Sequence, residues 1–240
     1  MGSALVMGVG ASRGLGGALC RRFARGGLQV VVAGRSADKL ERVVGEIRSA
    51  GGEAAPVVAD ATDAEAVARA FDAAEALGGP PELVVYNAGN NQFRALLEME
   101  DAFFEELWRL CCFGGFVTGR EAARRMLGAG GTLIFTGATA SLRARPPFTA
   151  FASAKAALRA LAHGMAREFG PKGLHVAHVV VDGVIGGDQV ERRFPQIVER
   201  LGEDGVLDLD AMAEAYWMLH GQHRSAWTLE LDLRPYKETF

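Results

Sequence analysis

Gly8-Val9-Gly10-Ala11-Ser12-Arg13-Gly14-Leu15-Gly16 is the stretch that decides the fold of this chain. An apolar run at residues 5–7 leads into it, and a segment of helical period, residues 15–24, begins inside it. Glycines at this spacing leave the backbone bare, so that it turns sharply and a pyrophosphate approaches the N-terminus of the following helix. The pattern predicts a strand, a phosphate-cradling turn and a helix, in that order.

Working outward, the same alternation continues. Apolar runs at residues 5–7, 29–33, 55–59, 83–86, 132–136, 175–181 and 227–231 predict seven strands. Apolar residues at three- and four-residue spacing in residues 15–24, 38–49, 63–77, 103–127 and 151–169 predict helices between them, bounded by glycines such as Gly26-Gly27, Gly51-Gly52, Gly78-Gly79 and Gly170. Strand-helix alternation with right-handed crossovers builds a Rossmann-type α/β fold, a doubly wound parallel sheet of seven strands with helices on both faces. Residues 1–240 read as a single domain. Residues 186–210 break the rhythm around Pro195 and read as a helical excursion over the carboxyl edge of the sheet, where such folds bind ligands. Residues 232–240, with Pro235 and Tyr236, read as an extended tail that packs on a surface, a neighbouring subunit's among those considered.

Composition narrows the partner class. The 49% hydrophobic content supports one large core, and a formal net charge of −3 gives no electrostatic footing for nucleic acid or an anionic membrane. The N-terminal apolar segment is too short, and lacks the basic flank, for a signal peptide or a span, so the expected location is the cytoplasm. Cys20, Cys111 and Cys112 are odd in number and without metal-ligand spacing, and read as reduced, buried thiols; no metal is expected.

These motifs resemble the short-chain dehydrogenase/reductase family along the whole chain. Gly10, Gly14 and Gly16 match its glycine motif, with Val9 where the family has threonine; Asp60, Asn87-Ala88-Gly89 and Lys155 follow in order, and Asp182-Gly183 stands for the family's Pro-Gly turn. The resemblance implies a nicotinamide dinucleotide held by Gly10, Ser12, Arg13, Gly14, Leu15 and Gly16, by Arg35 and Ser36, by Asp60 and Ala61, by Asn87, Ala88 and Gly89, and by Lys155, Gly183 and Ile185. NAD-specific sites place a carboxylate after the second strand, where this chain has Gly34-Arg35-Ser36. Arg35 and Arg13 suit a 2′-phosphate, which favours NADP over NAD.

The family's proton-transfer residues are a different matter. The resemblance implies a tyrosine four residues before the lysine, a serine thirteen residues before that tyrosine, and an asparagine in the preceding helix; this chain has Phe151, Ala138 and Cys111 at those positions, and keeps Lys155. Thr139, Ser141, Tyr86, Arg143 and Arg145 are the candidate replacements, with Thr139 the best single choice for hydrogen-bonding a substrate. His163 and His178 read as structural, with no carboxylate nearby in sequence to orient them. The expected function is an NADP-dependent oxidoreductase for a small or medium apolar carbonyl or alcohol, with an atypical site. The alternatives are a cofactor-binding sensor or partner subunit without turnover, and a non-redox enzyme on the same scaffold. The resemblance also implies a homodimer or homotetramer.

Overall fold

The computed structural model describes residues 2–238. Seven strands, β1 (Ser3–Met7), β2 (Gln29–Gly34), β3 (Ala54–Val58), β4 (Leu83–Tyr86), β5 (Gly131–Thr136), β6 (Leu174–Val181) and β7 (Glu230–Leu233), form one sheet in the order β3-β2-β1-β4-β5-β6-β7. Every pairing is parallel. Leu5 stands in register with Val31 of β2 on one side and Val84 of β4 on the other. The chain reverses its direction of travel across the sheet between β1 and β4, and the crevice at such a switch point is where this fold receives ligands.

Period-two alternation divides each strand between two cores. Ala4 and Val6 of β1 face the layer of α1 (Leu15–Arg25), α2 (Ala37–Ser49) and α9 (Leu209–His220). Leu5 and Met7 face α3 (Ala64–Gly78), α5 (Gly114–Met126) and α6 (Thr149–Phe169). Phe23, Phe71, Phe135 and Leu19 are fully buried, each side chain contributing about 1.5–3 kcal/mol. A third, smaller cluster lies near α4 (Asp101–Trp108) and the start of α6, and contains Leu107, Cys111, Cys112, Ala150, Phe151 and Ala154.

The structure departs from expectation in four places. The helix expected over residues 103–127 is interrupted: Arg109–Phe113 forms a π-turn between α4 and α5. Tyr86 Oη donates to the Leu110 carbonyl inside that turn, and a Cβ on Gly114 would lie 2.5 Å from Tyr86 Oη, so the glycine makes the room the phenol needs. The last strand begins at Glu230 rather than residue 227. Helix α9 went unforeseen, although its signals are in the sequence: Asp208 caps it by accepting from Ala211 N, and Met212, Ala213, Tyr216 and Leu219 are its buried stripe. The tail packs on its own chain, with Pro235 against Gly183 and Lys237 Nζ donating to the Glu203 carbonyl; residues 239 and 240 lie outside the described residues.

The excursion at residues 186–210 contains α7 (Asp188–Arg193) and α8 (Pro195–Leu201). It is pinned at its ends by a parallel bridge between Ile185 and Leu207. No helix among the described residues is long and apolar enough to cross a membrane.

Candidate active site

The glycine loop leaves β1 with Gly8 at φ +99°, a conformation that suits glycine, and a Cβ there would strike the Ala88 backbone nitrogen at 2.3 Å. Loop and β4 end are thereby locked together, and Asn87 Nδ2 donates to the Gly8 carbonyl at 3.2 Å. Gly10 faces open space, with no atom within 4 Å of where a Cβ would stand. Gly14 caps α1 and no side chain caps that helix end, while Leu15 and Gly16 are buried in its first turn. A bare, positive helix end beneath an uncluttered loop fits a pyrophosphate.

The remaining nucleotide-binding candidates fall around the same crevice. Arg35, at the end of β2, is exposed and makes no ion pair among the described residues. Ser36 caps α2 without spending its side chain on the cap. Asp60 accepts from the Thr62 amide and hydroxyl, both at 2.8 Å. Burial opposes ionisation of Asp60, but those bonds and the charges of Arg35 and Arg109 hold its carboxyl below the ordinary range. Ala61 follows β3 in the chain, and Asn87 and Ala88 follow β4. Two loop residues are occupied otherwise than expected: Ser12 Oγ donates to the Glu46 carboxylate at 2.6 Å, and Arg13 donates to Glu191 of α7 at 2.8 Å with Asp188 at 3.8 Å. Asp188 N also donates to the Arg13 carbonyl, so the excursion is latched onto the glycine loop.

On the other side of the switch point, Lys155 is 4% exposed. Its Nζ donates to the Thr136 carbonyl at 2.8 Å, and the Thr136 hydroxyl meets Tyr216 Oη of α9 at 2.9 Å. Burial pushes the Lys155 amine below its ordinary range. A Cβ on Gly89 would stand 3.3 Å from Lys155 Nζ and 3.9 Å from Cys111 Sγ, and the Phe151 ring centre lies 5.9 Å from Nζ. Phe151 and Cys111 pack in one apolar cluster with Ala138 at its margin. Lys155 and Phe151 of α6 therefore converge with Gly89, Cys111 and Ala138, from four separate stretches of chain.

The chain belongs to the short-chain dehydrogenase family. The family model for short chain dehydrogenases matches residues 4–195. Among curated relatives, 1-cyclohexenylcarbonyl-CoA reductase of Streptomyces collinus is 32% identical over 201 residues, 83% of this chain and 70% of that protein. Gluconate 5-dehydrogenase of Gluconobacter oxydans is 31% identical over 184 residues, 76% of this chain and 72% of that protein. A solved short-chain dehydrogenase from Rhodopseudomonas palustris superposes with a TM-score of 0.84 at 38% identity, covering 98% of this chain and 99% of that one. Alcohol dehydrogenase from the archaeon Thermococcus sibiricus, solved with 5-hydroxy-NADP, superposes with a TM-score of 0.84 at 26% identity over 100% of this chain and 99% of that one. As a short-chain dehydrogenase family member the protein is an oxidoreductase of a family that uses NAD(P).

Several expected roles in this short-chain dehydrogenase change once partners are known. Thr139 donates its hydroxyl to Asp182 at 2.5 Å, so it braces the turn after β5 and is not a free hydroxyl for substrate. Arg143 and Arg234 also bind the Asp182 carboxylate, at 3.0 and 3.3 Å. That cluster buries Asp182 beside Gly183, whose φ of +156° and contact with Pro235 set the direction of the chain toward Ile185. Tyr86 spends its hydroxyl on Leu110 and has no proton to offer a substrate. His163 and His178 do have a carboxylate: Glu230 Oε2 lies 3.1 Å from His163 Nε2 and 3.0 Å from His178 Nδ1. Sequence could not pair them, because Glu230 is 52 residues beyond His178 and reaches it only through the β6–β7 register.

Proposed function

We propose that the protein is an NADP-dependent oxidoreductase acting on a small or medium apolar carbonyl or alcohol, with Phe151, Ala138 and Cys111 in the positions of the family's tyrosine, serine and asparagine. The observation that carries this reading is the buried Lys155 beside Gly89, Cys111 and the hydroxyl-free Phe151 ring at the sheet's switch point. Gly10, Gly14 and Gly16 would hold the pyrophosphate, Asp60 and Ala61 the adenine end, and Lys155 the nicotinamide ribose, exchanging its Thr136 partner for ribose hydroxyls. The bound nicotinamide supplies or accepts the hydride. The NADP preference is supported by exposed Arg35 next to Ser36 at the uncapped end of α2, a fork and a helix end suited to a 2′-phosphate. The apolar cluster of Phe151, Cys111 and Ala138 favours an apolar substrate. A homo-oligomer through α5 and α6 fits the exposed Phe116 on α5.

Calorimetric titration with NADPH and NADH, followed by absorbance decay at the nicotinamide band with a carbonyl panel and its rise from NADP+ with alcohols, tests the reading. NADPH-selective binding with turnover supports it. Selective binding without turnover in either direction moves the assignment to a sensor or partner subunit, and no binding overturns it.

A further inference from the structure

Behind the vacated serine position runs a line of hydrogen bonds that the family comparison does not assign. The turn after β5 folds Ser141 back so that the Ala138 amide donates to Ser141 Oγ at 3.1 Å. Ser141 Oγ lies 3.5 Å from His178 Nε2, and His178 Nδ1 lies 3.0 Å from Glu230 Oε2. Glu230 is also gripped by Arg159 at 2.6 and 2.8 Å and by His163 at 3.1 Å. Gly137 gives the imidazole its place: a Cβ there would stand 2.3 Å from His178 Nε2.

The donor directions follow from the ends of this chain. Arg159 holds Glu230 as a carboxylate, far below its ordinary range. An ionised carboxylate only accepts, so His178 must carry its proton on Nδ1. Burial keeps the ring neutral, which leaves a lone pair on Nε2 aimed at the serine hydroxyl. Ser141 Oγ therefore accepts from Ala138 and donates to His178. The inner end is closed to bulk water, with Ser141 5% exposed, while the Glu230 side chain is 25% exposed. The titratable groups facing His178 are Glu230 from β7 and Lys155 and His163 from α6.

We infer that Ser141, His178 and Glu230 form a proton-accepting path serving the pocket beside Ala138, oriented for removal of a proton from an alcohol substrate. This rests on the redox reading above. As the alcohol's C–H bond gives its electron pair to the nicotinamide as hydride, its O–H proton enters the chain at Ser141, whose own proton passes to His178 Nε2. The imidazolium is held by Glu230 and releases its Nδ1 proton to solvent there, and the Nε2–H tautomer left behind exchanges back to Nδ1–H before the next turnover; alcohol and oxidised cofactor become carbonyl, reduced cofactor and one proton. The resting orientation makes the chain a base, so the inferred role is in alcohol oxidation.

The test uses protein labelled with 15N at histidine, with cyclohexanol and 1-phenylethanol as probes. In the wild-type protein, His178 should be neutral with its proton on Nδ1 from pH 6 to 9, and its Nε2 resonance should shift in Ser141→Ala. The same substitution should lower NADP+-dependent oxidation at least 10-fold and abolish its solvent deuterium isotope effect, with NADP+ affinity unchanged within twofold. An Nε2–H tautomer in the wild-type protein overturns the inference whether or not the variant folds, and so does oxidation by Ser141→Ala within twofold of wild type. Absence of oxidation by wild-type protein that binds NADP+ brings down the redox reading, and the path's role with it.

Discussion

The Thr139 hydroxyl donates to the Asp182 carboxylate at 2.5 Å, tying the turn after β5 to the end of β6. Arg143 and Arg234 complete the shell around a carboxylate that is 3% exposed. Removing the charge takes a carboxylate from Arg143 and weakens the hold on Arg234, which keeps Asp232. Asp182→Asn is expected to cost about 1.5–3 kcal/mol of stability, read as a shift in the urea midpoint at constant slope. Thr139→Ala should cost about 1 kcal/mol and leave turnover within a few-fold, because its hydroxyl faces Asp182 rather than substrate.

Arg35 and Arg13 differ in what they have to give up. Arg35 makes no ion pair among the described residues, whereas Arg13 already holds Glu191 at 2.8 Å. Charge-assisted hydrogen bonds are worth about 1.5–3 kcal/mol, so Arg35→Ala should weaken NADPH binding roughly 10- to 100-fold while NADH binding changes less than twofold. Arg13→Ala should have the smaller effect on the NADPH/NADH ratio. Calorimetry with both nucleotides measures each.

On the proposed placement of Phe151 and Ala138, an acid added there should raise carbonyl reduction. Phe151 is 8% exposed and its ring lies 5.9 Å from Lys155 Nζ, so a phenol in its place enters the lysine's field without new backbone geometry. Phe151→Tyr with Ala138→Ser is expected to increase reduction of a carbonyl panel by about 10²–10⁴-fold, the usual value of a positioned acid. An unchanged rate over the whole panel would show that more than the proton donor separates this site from its relatives.

Acid should destabilise the protein in two stages. His178 takes up a proton near 6.5 when unfolded, but burial holds it down to about 4 in the fold, so falling pH favours the unfolded chain across that window. The linked loss is at most roughly 3 kcal/mol. Glu230, held down to about 2 chiefly by Arg159, acts with the same sign from 4.5 downward: its stabilisation is present above 4.5 and is lost as pH falls through its folded value. Urea unfolding at pH 7, 5.5 and 4 should show a declining midpoint, and stability that stays flat from pH 7 to 4 would contradict the buried, neutral imidazole.

Much of the architecture was legible because it follows from local periods. The β1 apolar run, the glycine loop and the α1 stripe specify strand, turn and helix without help from elsewhere, and repetition of that unit specifies a parallel sheet. The π-turn at residues 109–113 was not legible, because it depends on Tyr86 reaching the Leu110 carbonyl across 24 residues. The strand before the tail was misplaced by three residues because Trp227 and Leu229 are apolar and flank a β-branched threonine, yet the ladder with β6 starts at Glu230 opposite His178.

Sequence by itself determined a chemical inventory: a glycine loop, an arginine after the second strand, a lysine, and the side chains Phe151, Ala138 and Cys111. Tertiary structure alone decided which groups are spent and which are available. Thr139, Ser12 and Arg13 look free in the sequence and are engaged in the fold, while His178 looks isolated and is joined to Ser141 and Glu230. The reason is physical: a polar group nearly cut off from water must find a partner, and which partner is near depends on sheet register and crossover packing rather than distance along the chain.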